Sequence, residues 1–151
     1  MSSSPSTRTP YNLTAPLSER SFDVPPFAAS CVEHAGEAWG AAFDHPFVHA
    51  LAEGSLDADR FRFYQMQDAR YLEAFSDAAA HVSTRCPNPG DKLWFIDAAR
   101  LALEVEGELH AGYGEALGYD ADDIRRLELT PNNRAYQNHM VAAATQGALV
   151  E

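Results

Sequence analysis

Positive charge is scarce in this chain. Among its 151 residues, 11 Lys and Arg stand against 22 Asp and Glu, giving a formal net charge of −11. Binding nucleic acid needs clustered cations to neutralise phosphates, so this balance argues against a nucleic-acid partner. It argues equally against an anionic membrane surface. Cysteine is almost absent: Cys31 and Cys86 form no CxxC pair and read as two free thiols of a reducing cytoplasm. No apolar run approaches the roughly 20 residues that span a bilayer, and the Ser-, Thr- and Pro-rich start has no hydrophobic segment of the secretory kind. A Gly-rich phosphate loop, a Ser/His/Asp order and a zinc motif are all missing. The Glu-x-x-His spacing of di-iron bundles is missing too, because the position three before His110 is Gly107. No segment alternates with a period of two, which leaves an all-α chain.

What is present is helix punctuation. Residues 1–23, broken by Pro5, Pro10 and Pro16, read as a disordered tail, and residues 24–151 as one helical domain. The spacing predicts a helix from Phe27 to Phe43 holding Val32, Trp39 and Phe43, then a short one from Pro46 through Leu51, ended by Gly54. A third helix is predicted from about Asp57 to Arg85. Cys86-Pro87-Asn88-Pro89-Gly90 reads as a loop, followed by a fourth helix from Asp91 to Leu117 with Gly118 as its cap. Its inward stripe is predicted as Trp94, Ala98, Leu101, Val105, Leu109 and Gly112. Thr130-Pro131 opens a last helix presenting Tyr136, Met140, Ala143, Gly147 and Val150, and no Gly, Asn or Pro follows to stop it before Glu151. The chain reads as finishing inside a helix.

The third helix carries the most informative residue. Phe61, Tyr64, Asp68, Tyr71, Phe75, Ala78 and Val82 recur at alternating spacings of three and four, the pattern of one buried helical stripe. Every member is apolar or aromatic except Asp68. An unpaired buried carboxylate costs several kcal/mol, on the order of a domain's whole stability margin. Asp68 is therefore paired with a Tyr or Arg of another helix, protonated, or kept for a ligand that supplies its hydrogen bonds. With Tyr71 one turn later and Tyr136 on a distant helix, it would form a pocket for a small, flat, hydrogen-bonding molecule. An aminopyrimidine, with a ring nitrogen and an exocyclic amine, suits such a carboxylate in bidentate fashion.

Other titratable groups read more blandly. Asp77/His81, Glu106/His110 and Glu104/Glu108 lie four apart, a spacing that can place two metal ligands on one face, but a solvated acidic face accounts for them as well. Glu108-Leu109-His110 with Tyr113 reads as polar packing between helices.

His45-Pro46-Phe47-Val48, Gly54-x-Leu56, and Arg60-Phe61-x-Phe63-Tyr64-x-x-Gln67-Asp68-x-x-Tyr71-Leu72 together resemble the TenA/thiaminase II family. Glu108-Leu109-His110-x-x-Tyr113 and Thr130-Pro131-x-Asn133-x-Ala135-Tyr136 continue the resemblance in order, from about Phe27 onward. It implies a haem-oxygenase-like helical bundle, a homotetramer, that hydrolyses thiamin-derived aminopyrimidines or thiamin in the cytoplasm without metal or other cofactor. It further implies that Asp68 holds the pyrimidine and that Tyr71 and Tyr136 sit by the nucleophile and help to activate it.

The departure matters as much. The family's nucleophilic Cys follows the Tyr136 block and a proton-shuttling Glu lies in the last helices, whereas this sequence stops at Glu151. Cys31 and Cys86 do not occupy the nucleophile's place. The expectation is thus a C-terminally truncated aminopyrimidine aminohydrolase sequence that keeps the substrate-positioning half of its site and little activity as it stands. Two rivals remain: a non-catalytic pyrimidine-binding or regulatory protein, and a helical metal-carboxylate oxidase built on Glu104, Glu108 and His110.

Overall fold

The computed structural model describes residues 25–148, the side chains of Val105, Glu106 and Leu109 excepted. The expected tail (residues 1–23), the stripe positions Val105, Leu109 and Val150, the Glu106/His110 pairing and the ending at Leu149-Val150-Glu151 all lie outside the described residues. Among those described, the regular structure is entirely α-helical: α1 (Pro26–Ala35), α2 (Glu37–Phe43), α3 (Pro46–Glu53), α4 (Ala58–Arg85), α5 (Pro89–Leu117), α6 (Ala121–Arg126) and α7 (Pro131–Gln146). The chain divides into two compact units between His49 and Ala50, within α3.

In the first unit, the single helix expected from Phe27 to Phe43 is two. Gly36 takes φ +53°, a left-handed conformation that side chains rarely adopt, and its N–H bonds back to Val32 O and Glu33 O. That turn ends α1, and α2 restarts at Glu37 with Trp39 and Phe43 packed edge to face at 5.5 Å.

In the second unit, α4 packs along α5 and, less extensively, along α7 and α6. Asp57 caps α4 by accepting from the N–H groups of Asp59 and Arg60, each at 3.1 Å. The fourth helix starts earlier than its expected Asp91. Asn88 caps it and Pro89 fills the first turn, where a missing N–H costs nothing, so part of the expected loop is helix. Gly118, at φ +71°, closes α5 as expected, and the returning chain passes so close that a Cβ on Gly114 would stand 2.7 Å from Tyr119 O. The short α6 went unpredicted. Its signal was Asp120-x-x-Asp123, which forms a reciprocal capping box.

Three arginines of α4 tie down the helices that follow. Arg62 donates to Gly118 O at the end of α5, Arg70 to Ile124 O and Arg125 O at the end of α6, and Arg85 to Ala143 O, Ala144 O and Gly147 O at the end of α7. Each cation meets carbonyls of the last turn or just beyond it, at the negative end of a helix dipole. One helix thus fixes three others.

The buried face is set by small residues. Ala78, Ala79, Ala99 and Ala144 are buried, with Met66, Tyr119 and Cys86, and Ser76 Oγ donates across to Ala99 O at 3.1 Å. The expected α4 stripe is only half-buried apart from Ala78, and Tyr64 is exposed. The expected α5 stripe is out of phase: Trp94 is 65% exposed and Leu101 53%, while Ala99, His110 and Gly114 face inward. On α7, Ala144 is buried and Tyr136 is exposed. Close helix approach selects the small side chains, so the larger apolar ones stand on the flanks.

Candidate functional site

Gln67 organises the site. It is buried on α4, and its amide reaches the chain between α6 and α7: Nε2 donates to Glu128 O at 2.9 Å, and Oε1 accepts from Thr130 N–H at 3.2 Å and from Asn133 Nδ2 at 2.8 Å. Asn133 Nδ2 also donates to Gln67 O, and Asn133 Oδ1 accepts from Gln137. Thr130 Oγ1 caps α7 by accepting from Asn133 N–H at 3.2 Å. These bonds fix the start of α7 one turn before Tyr136.

Tyr136 consequently meets Tyr71 face to face, with ring centroids 5.5 Å apart and planes 19° from parallel. Asp68 sits one turn before Tyr71 on α4. Tyr64, Gln67, Asp68, Tyr71, Asn133 and Tyr136 line one open depression of about 270 Å³. The structure therefore brings together Asp68, Tyr71 and Tyr136, the three residues singled out in the sequence. Burial first, then Tyr136 through charge and hydrogen bonding, then the charge of Asp68, push the Tyr71 phenol above its ordinary value. At neutral pH Tyr71 remains a hydroxyl donor.

Behind Asp68 lies a residue that the sequence offered as polar helix packing or as a ligand of the metal-carboxylate rival, never as a neighbour of Asp68. His110, 8% exposed on α5, brings Nε2 to 4.0 Å from Asp68 Oδ2, and neither ring nitrogen has a hydrogen-bond partner. Neither Gln67 nor His110 was given its place beside the site by the sequence, because their neighbours there lie far away along the chain.

The other candidates disperse. Glu104 pairs with Arg100 on the outer face of α5, Glu108 is exposed, and His110 turns inward to Asp68, so the three do not converge. Among the described residues no three His, Cys, Asp or Glu side chains are grouped to hold a metal ion. Cys86 is buried at the end of α4, its Sγ 3.3 Å from Val82 O, and is not among the residues lining the Asp68 depression. Cys31 is exposed in the first unit.

The sequence pattern of the TENA/THI-4/PQQC family matches residues 33–151. The chain belongs to that family. Among its relatives, an aminopyrimidine aminohydrolase of Halalkalibacterium halodurans is 31% identical over 125 residues, covering 83% of this chain and 56% of the relative. An aminopyrimidine aminohydrolase of Bacillus subtilis is 27% identical over 125 residues, covering 83% and 53% respectively. Among solved structures, a TenA homologue from P. horikoshii OT3 superposes with a TM-score of 0.76 at 30% identity, over 82% of this chain and 57% of that one. The all-α fold of the family is thus present, and the chain spans about half the length of the relatives it matches.

Proposed function

We propose that this chain binds an aminopyrimidine derived from thiamin at Asp68, in the manner of an aminopyrimidine aminohydrolase or thiaminase II, in thiamin salvage. The observation that carries the reading is a carboxylate one helical turn from Tyr71, whose ring stacks on Tyr136, with all three lining one depression of about 270 Å³. The exocyclic amine donates to one oxygen of Asp68 and the protonated ring nitrogen to the other, a paired, charge-assisted contact. The Tyr71–Tyr136 stack supplies an aromatic wall, and the Tyr71 hydroxyl, kept protonated, donates to the reacting group or its nucleophile. The names of the aminohydrolase relatives support this substrate class. Among the described residues no thiol lines the depression, so the site as described holds and polarises a substrate without supplying a sulfur nucleophile. A nucleophile contributes several powers of ten in rate.

Calorimetric titration with 4-amino-5-aminomethyl-2-methylpyrimidine, followed by an ammonia-release assay, tests this. Saturable 1:1 binding with hydrolysis near background is the expected outcome. A folded chain that takes up no pyrimidine would refute the reading, and rapid turnover would show a nucleophile this account lacks.

The same reading places the protein in the cytoplasm as a homo-oligomer, a tetramer by family resemblance. Exposed Phe63, Ile96, Leu101 and Leu103 support association, since large apolar side chains on a free surface favour contact with another copy. Light scattering of the purified chain is expected to give a mass four times that of one chain; a monomer at micromolar concentration would contradict it. No helix among the described residues is long and apolar enough to cross a membrane.

A further inference from the structure

We propose that the groove lined by Phe75, Trp94 and Met140 is a second subsite, which takes a flat ring carried on the one-carbon arm of the pyrimidine. Met140 and Trp94 then set a preference for two-ring substrates over the bare aminomethylpyrimidine. The inference rests on the reading of Asp68 as the pyrimidine holder and extends it to the rest of the substrate.

Three observations carry it. The first is adjacency: Tyr136 lines both the Asp68 depression and the groove, and it stands exposed between them. The second is direction. One turn of α4 beyond Tyr71 comes Phe75, with ring centroids 6.4 Å apart, and one turn of α7 beyond Tyr136 comes Met140. A helical turn advances about 5.4 Å, which matches the separation of two flat rings joined through one carbon. Such an arm therefore carries a second ring from the tyrosine wall to Phe75 and Met140. The third is the lining. The groove encloses about 470 Å³, far more than an aminomethyl group fills, because alanines of α4, α5 and α7 leave the room.

The chemistry of that lining selects the occupant. The faces of Phe75, Trp94 and Phe95 and the thioether of Met140 suit a flat, polarisable heterocycle, a cationic one included. Among the described residues no carboxylate lines the groove, and Arg85 at its far end is held by the carbonyls of α7. Selection there is by ring and not by ion pairing. Seating a ring removes apolar surface of Trp94 and Met140 from water, and this is the source of the added affinity.

The test compares two ligands on the full chain by calorimetry: thiamin, which carries its second ring on that carbon, and 4-amino-5-aminomethyl-2-methylpyrimidine. Both bear one positive charge on the arm at neutral pH, so the ratio of their affinities isolates the ring. Thiamin is expected to bind about tenfold tighter. Met140→Ala and Trp94→Ala are each expected to cut that ratio to about threefold or less. A variant that only disturbs the tyrosine wall weakens both ligands together and leaves the ratio alone. Equal affinities in the wild type, or an undiminished ratio in both variants, would overturn the inference while the Asp68 reading stands. A wild type that binds neither ligand refutes the Asp68 reading and this inference with it. Trp94 is largely exposed, so its replacement still decides if Met140→Ala fails to fold. Light scattering of the same samples covers the other occupant: a Trp94→Ala chain of lower mass than the wild type would assign the groove to a second copy and overturn the proposal.

Discussion

Asp68→Asn is expected to abolish pyrimidine binding, weakening it by at least about a hundredfold, with the helical content unchanged. The carboxylate contributes two charge-assisted acceptors to a ring that offers two donors, and such bonds are worth about 1.5–3 kcal/mol each. Asparagine keeps the shape but replaces one acceptor oxygen with a donor, which opposes the ring nitrogen instead of accepting from it. The fold does not depend on the charge in the same way. Asp68 is partly exposed, and the bonds that hold α7 to α4 run through Gln67, its neighbour. Removing the carboxylate also relieves one source of the upward pressure on the Tyr71 phenol. Titration of the variant beside its circular dichroism spectrum checks both parts. Unchanged affinity would remove Asp68 from the site.

Gln67→Leu is expected to destabilise the protein by about 2 kcal/mol, lowering Tm by roughly 5–10 °C, and to weaken pyrimidine binding as well. Leucine fills a similar volume but leaves Glu128 O without its donor and Thr130 N–H without its acceptor, and deprives Asn133 of one of its two contacts. These groups are partly buried, so water replaces the lost bonds only in part. The damage falls on the start of α7 and therefore on the placement of Tyr136 against Tyr71. Thermal melting combined with titration distinguishes this from the Asp68 variant: Gln67→Leu is expected to lose stability and affinity together, Asp68→Asn affinity alone. A Gln67→Leu protein that melts like the wild type would show that the amide does not hold α7.

The contrast between these two neighbours shows what the sequence discloses. Asp68 was legible because it interrupts an aromatic stripe on its own helix, a local pattern. Gln67 was not, since its partners lie 61 to 66 residues away and a glutamine looks the same on a solvated face. The same limit applies to His110, whose neighbour Asp68 is on another helix. The long helices were readable from period and punctuation: Asp57 and Thr130 act as caps, Arg85 ends α4, and Gly118 ends α5. Their phase was less readable. Large apolar residues occur on more than one face of α5, and the helices chose the alanine face, where backbones approach most closely. The break at Gly36 was missed because a glycine within an alanine-rich run is compatible with both helix and turn until its φ is known. Helix α6 was missed because six residues carry too little periodicity to stand out, although the Asp120/Asp123 box marked its start.

The central claim is that the Asp68–Tyr71–Tyr136 depression holds the pyrimidine. The most direct test is a crystal structure of the chain grown with 4-amino-5-aminomethyl-2-methylpyrimidine. The account predicts the ring against the Tyr71–Tyr136 wall, with its exocyclic amine and one ring nitrogen within hydrogen-bond distance of the Asp68 carboxylate. A ring seated instead in the apolar groove lined by Phe75, Trp94 and Met140, with Asp68 untouched, would contradict it.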